Sequence, residues 1–143
     1  MLSVGGDPRS SGADRRATLP DVNGILLATD SDAVYNEVDA ALSSDDVLVS
    51  RVRAGSHVLP AVQELQPALV LLDLQIGNMG GVAACLALKQ EVGFDRLDDR
   101  PVALLLDRAA DVFLGHDSQA DGWLVKPLDP LRLRRLAKQL LAG

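Results

Sequence analysis

Aromatic residues are nearly absent from this chain: two Phe, one Tyr and one Trp in 143 residues. Its core must therefore be built from Leu, Val, Ile and Ala, which a hydrophobic content of 48% supplies. Cysteine occurs once, as Cys85, so no internal disulfide is possible and nothing points to secretion. Lying in the middle of a helical stretch, that thiol reads as buried and inert. No apolar run approaches the roughly 18 residues of a membrane span. The first twenty residues also lack the apolar stretch of a signal peptide. Residues 1–21 read as a disordered N-terminal tail, in part a start-site artefact, and 22–143 as one domain with a single core. The chain is expected to be cytoplasmic, with no membrane partner. His57 and His116 are isolated, with neither metal-ligand spacing nor a Ser or Cys partner, and are expected to face solvent.

Charge is unevenly spread. Residues 21–128 carry seven Lys/Arg against seventeen Asp/Glu, whereas 129–143 carry Arg132, Arg134, Arg135 and Lys138 against Asp129 alone. An acidic body argues against nucleic acid as a direct partner, because phosphate backbones need positive surface. The basic final stretch reads as a solvated helix face.

Five short aliphatic runs alternate with helix-like segments: Ile25–Ala28, Val47–Val52, Leu69–Leu72, Val102–Leu106 and Trp123–Val125. Continuous rather than alternating hydrophobicity fits strands buried on both faces of a parallel sheet. Val34, Val38, Ala41 and Leu42 recur at helical spacing, with Ser31 or Asp30 as the cap. A second helix spans about Val58–Gln66, starts late because of Pro60, and stops before Pro67. The third spans about Gly81–Val92 and ends near Gly93. The fourth is weak: Asp111–Gly115 gives little more than a turn or two before Gly115 interrupts it. The last, about Asp129–Ala142, has Asp129 as its cap, Pro130 in its first turn and an apolar face of Leu133, Leu136, Ala137, Leu140 and Leu141. Alternating βα units predict a doubly wound α/β sheet with right-handed crossovers.

The strand ends carry the chemistry. Asp73 closes the run Leu69-Val-Leu-Leu, Lys126 closes Trp123-Leu-Val, and Thr29-Asp30 follows Ile25–Ala28. In an open parallel sheet such tips share the edge where ligands bind. A carboxylate and a lysine brought together there suit the handling of a phosphoryl group.

These residues resemble the receiver domain of two-component response regulators from about residue 22 to the end. The stretch from Leu69 to Gly81, with Asp73 and Gly77-Asn-Met-Gly-Gly81, looks like the phosphoacceptor strand and its loop. Ala120–Leu133, with Lys126 and Pro127, is close to the fifth-strand signature. The resemblance implies a flavodoxin-like sheet of five parallel strands in the order 2-1-3-4-5, with about five helices. It implies that Asp73 accepts a phosphoryl group from a histidine kinase or phosphotransfer protein, forming an acyl phosphate. Lys126 would contact a phosphoryl oxygen. Mg²⁺ would be held by Asp30, Asp73 and the backbone carbonyl of Gln75.

Three departures from the family pattern bear on function. Thr29 replaces one of two adjacent acids, which should weaken Mg²⁺ binding without abolishing the site. Asp32 would help only if its loop folded back. Leu106 stands where the fourth strand ends in a Ser or Thr switch hydroxyl, and Asp107 beside it would add repulsion near a phosphoryl group. The segment from Asp107 to Ala120 is about two residues shorter than the family habit. Trp123 occupies the switch-aromatic position, either gating a partner surface or simply packing. Met79 and Ile76 read as loop packing.

With no second domain in the chain, output is expected through an effector protein. A homodimer through the fourth helix, fifth strand and fifth helix is the simplest partner, because Val112, Phe113 and Leu114 cannot all be buried by so short a helix. An alternative in the same fold is a pseudo-receiver that binds a protein without phosphorylation. A small enzyme on this scaffold is disfavoured: the chain lacks a glycine-rich phosphate loop, and Gln75 stands where an aspartyl phosphatase has its second acid.

Overall fold

Aliphatic runs with no polar face can satisfy their backbone only inside a sheet covered on both sides. In the computed structural model, which describes residues 23–77 and 79–142, the three central runs do so, while the edge runs Val47–Val52 and Gly122–Val125 are only partly buried. The elements are β1 (Asn23–Ala28), α1 (Asp32–Leu42), β2 (Val47–Val52), α2 (Val58–Leu65), β3 (Leu69–Asp73), α3 (Gly81–Gly93), β4 (Val102–Leu106), α4 (Val112–Asp117), β5 (Gly122–Val125) and α5 (Pro130–Ala142). Single 3₁₀ turns, Gly55–His57 and Ala109–Asp111, lead into α2 and α4. The five strands are all parallel, in the order β2-β1-β3-β4-β5. This is the 2-1-3-4-5 order expected. The expected tail, residues 1–21, lies outside the described residues.

Strand periodicity divides the core in two. Ile25, Leu27, Leu69, Leu71, Ala103 and Leu105 pack with Val38 of α1 and Leu133 and Ala137 of α5. Leu26, Ala28, Val70, Leu72, Leu104 and Leu106 pack on the other face with Val62 of α2 and Ala84, Cys85 and Leu88 of α3. Every residue of β3 and β4 is buried. At roughly 1.5–3 kcal/mol for each fully buried aliphatic side chain, these two central strands are a large contribution to the favourable side of folding.

The helix ends follow local chemistry. Ser31 caps α1, its hydroxyl accepting the Val34 N–H at 3.2 Å. Asp129 accepts the Leu131 N–H at 3.0 Å at the start of α5. Pro60 is the third residue of α2, within the first turn, where its missing N–H costs nothing. One expectation is corrected. Gly115 does not interrupt α4, which runs on to Asp117. Gly115 is buried, and a Cβ there would lie 2.5 Å from Trp123 Cε3, so the glycine lets the helix close onto the indole.

Candidate functional site

The strand register brings the tips together. Ala28 pairs with Leu72, so the next residues, Thr29 and Asp73, are neighbours across β1 and β3. Leu106 pairs with Val125, so Asp107 and Lys126 are neighbours across β4 and β5. Both pairs lie one step past the regular ladders, where the chain turns away and side chains can converge on the sheet edge.

Asp73 is 2% exposed and nevertheless well supplied with donors. Lys126 Nζ lies 2.7 Å from its Oδ1, and the Gln75 backbone N–H donates to the same oxygen at 3.2 Å. The Thr29 hydroxyl, fully buried, donates to Oδ2 at 2.7 Å and accepts the Ser31 N–H at 3.1 Å. Sequence reasoning assigned Thr29 only a loss. Its role as a direct partner of Asp73 follows from the strand register, which pairs Ala28 with Leu72. A Cβ at Gly81 would lie 2.6 Å from the Asp73 carbonyl oxygen, so only glycine lets α3 begin this close to the carboxylate.

Lys126 is shared. Its Nζ also lies 2.9 Å from Asp107 Oδ1. Asp107, expected only as a source of repulsion, is thus the second anion of a carboxylate–ammonium–carboxylate chain. Burial disfavours the Lys126 ammonium, but hydrogen bonds to Asp107 and Asp73 outweigh it and raise its pKa above the ordinary lysine range. The hydrogen bond from Lys126 holds the Asp107 carboxyl below the usual carboxylate range, against the opposing effect of burial.

The remaining predicted residues fall as follows. Asp30 is exposed at the mouth, and its Oδ2 lies over Gly77 of the β3–α3 loop, 3.7 Å from where a Cβ would stand. Asp32 does not fold back toward Asp73. Its carboxylate takes Arg51 at 2.8 Å and Arg53 at 3.4 Å. Leu106 is fully buried in the same apolar cluster as Val112, Trp123 and Val125, so a core side chain occupies the switch position. Trp123 is half-buried, with His116 edge-on at 4.6 Å between ring centroids. His57 and His116 are exposed, and Ile76 is buried while Met79 is exposed. Cys85 is fully buried, its thiol donating to the Ser118 carbonyl at 3.3 Å, and burial pushes its pKa up. Of the crowded α4 residues, Phe113 reaches solvent at 58% exposure, while Val112 and Leu114 are half-buried.

For a hard divalent cation the donors are of the right kind but few. Asp30 and Asp73 offer carboxylate oxygens, and Gln75 stands next in the loop. Asp73 Oδ1 already accepts two hydrogen bonds, which leaves one lone-pair site on Oδ2 beside Thr29. Among the described residues no group of three or more His, Cys, Asp or Glu side chains is placed to hold a metal. The carboxylates of Asp30 and Asp73 are of the chemical kind that suits Mg²⁺.

A 2-1-3-4-5 parallel sheet with a buried carboxylate and a lysine converging at its C-terminal edge defines a receiver-type signalling module. The chain belongs to the response regulator receiver domain family, which residues 25–138 match. It is 32% identical over 111 residues to the DNA-binding response regulator MtrA of Mycolicibacterium smegmatis, covering 76% of this chain and 46% of that protein. It is 33% identical over 111 residues to MtrA of Mycobacterium tuberculosis H37Rv, with the same two coverages. The chain thus spans about half the length of these relatives. Among solved structures, the BeF3-activated receiver domain of RstA from Klebsiella pneumoniae superposes with a TM-score of 0.74 at 24% identity, covering 85% of this chain and all of that one. Chemotaxis protein CheY4 of Vibrio cholerae gives 0.72 at 21%, covering 83% and 98%. These likenesses establish the fold. No helix among the described residues is long and apolar enough to cross a membrane.

Proposed function

We propose that the protein accepts a phosphoryl group on Asp73 from a histidine kinase or phosphotransfer protein and signals by protein–protein contact. The observation that carries this reading is the Lys126–Asp73 pair, 2.7 Å apart across the tips of two non-adjacent strands. In the transfer, an Asp73 oxygen bonds to phosphorus while the bond from phosphorus to the donor nitrogen breaks and that nitrogen takes up a proton. Lys126 would meet the charge on the phosphoryl oxygens, a role supported by its contact with Asp73, and the hydrogen bonds from the Thr29 hydroxyl and the Gln75 N–H would hold the nucleophile. Asp30, Asp73 and the Gln75 carbonyl would hold Mg²⁺, which supplies charge neutralisation when bound. Output falls to the surface of α4, β5 and α5, through an effector protein or a second copy. The domain is read as 22–143.

Incubation with acetyl phosphate and Mg²⁺ should add the mass of one phosphoryl group to the wild type and none to Asp73→Asn. Failure of the wild type to gain it would turn the reading to the alternative, a phosphorylation-independent binding module. The full burial of Leu106, with no hydroxyl to follow a phosphoryl group, is what speaks for that alternative.

A further inference from the structure

Lys126 serves two anions, and only one of them is needed for phosphoryl chemistry at Asp73. Asp107 Oδ1 takes the ammonium at 2.9 Å, while Asp107 Oδ2 is buried with no hydrogen-bond partner. A half-buried carboxylate with one oxygen buried and unmatched is a poor stabilising device, since the desolvation of that oxygen is not offset. The position is half-buried just past the end of β4, and Lys126 is the only ion-pair partner of the carboxylate among the described residues. Such an orphaned atom calls for an account other than stability.

We propose that Asp107 is a resident anion, a positioning residue that holds Lys126 in the unmodified protein and opposes the arrival and persistence of a phosphoryl group on Asp73. The inference rests on the reading of Asp73 as the phosphoacceptor. An incoming phosphoryl group must share Lys126 with Asp107 or draw the ammonium away. If it draws Lys126 away, Asp107 is left as an unpaired, half-buried carboxylate near a dianion, and like charges repel even in a partly solvated site. Loss of the group reverses this. A water oxygen bonds to phosphorus, the bond from phosphorus to the Asp73 oxygen breaks, and inorganic phosphate leaves as the dihydrogen anion with both protons of the water. The Asp73 carboxylate and Lys126 then return to the chain of ion pairs seen here. Asp107 thereby favours the unmodified state at both steps.

Asp107→Asn keeps the shape and removes the charge, Asp107→Ala removes both, and Asp107→Glu keeps the charge. With acetyl phosphate and Mg²⁺, Asp107→Asn and Asp107→Ala should accumulate on the order of tenfold more phosphoprotein than wild type at a given donor concentration. They should also lose it more slowly, while Asp107→Glu stays close to wild type. Equal accumulation in wild type and Asp107→Asn, or a Glu variant that behaves like Asn, overturns the inference and leaves the phosphoacceptor reading standing. If no variant takes up a phosphoryl group, the phosphoacceptor reading fails, and acylation of Lys126 by a neutral amine reagent, read by peptide mass, decides the resident anion. Faster acylation in the Asn and Ala variants but not in Glu keeps Asp107 as the holder of Lys126. Equal rates in all four proteins remove it.

Discussion

Thr29 shows how one substitution can change the chemistry of a neighbour rather than delete it. A second acid at this position would stand beside Asp73 and repel it. A hydroxyl donates to it instead, at 2.7 Å and wholly out of water. The buried carboxylate is therefore paired with the Lys126 ammonium and further matched by the Gln75 N–H and the Thr29 hydroxyl. Thr29→Val keeps the shape and removes the donor, leaving Asp73 Oδ2 unmatched. It should cost about 1–2 kcal/mol in urea denaturation, the usual penalty for an orphaned buried acceptor. Thr29→Asp works in the other direction, adding a hard oxygen ligand while placing two carboxylates in contact. It should lower the apparent Mg²⁺ concentration needed to change Trp123 fluorescence and should destabilise the protein without the metal. A Thr29→Val protein as stable as wild type would show that the hydroxyl contributes nothing to Asp73.

Among the elements, α4 is where glycine matters most. A Cβ on Gly115 would lie 2.5 Å from Trp123 Cε3 and 2.8 Å from Cδ2, well inside contact distance of an indole held between strand and helix. Gly115→Ala gains helix propensity, about 1 kcal/mol. It loses more by forcing the ring or the helix to move, since overpacking costs about 1–3 kcal/mol. Net destabilisation with an altered Trp123 emission is the expected outcome, and Trp123 is the sole tryptophan, so the signal is unambiguous. Unchanged emission and stability would mean that the contact is loose. The same glycine marks the limit of what could be read from sequence. Its lack of propensity reads as a helix break, yet packing against Trp123 overrides that local preference. The strands were legible because burial on both faces leaves a continuous aliphatic run, and Asp73 and Lys126 because they end such runs. Thr29 and Asp107 were not, because their partners are set by register, and a register is visible only once Ala28 is paired with Leu72 and Leu106 with Val125.

For the whole molecule, charge and exposure are arranged by face. An acidic body carries a C-terminal helix whose Arg132 and Arg135 are exposed. On the neighbouring α4, Phe113 is 58% exposed, and Leu131 in the first turn of α5 is 60% exposed. Exposed apolar groups together with exposed basic side chains on these two helices would suit a protein partner that is partly apolar and acidic. A second copy would supply both complements, apolar and acidic, so we propose a twofold dimer through α4, β5 and α5 as the assembly to test. Phe113→Asp removes the apolar anchor without touching the core, because the side chain already lies in solvent. It should weaken self-association by about tenfold or more in sedimentation velocity, as loss of an aromatic anchor does, with the melting temperature unchanged. Raising the salt concentration should weaken the wild-type dimer as well, since part of the attraction is between opposite charges. A wild type that sediments as a monomer at high concentration, with and without a phosphodonor, removes the dimer and leaves this face to a partner of different sequence.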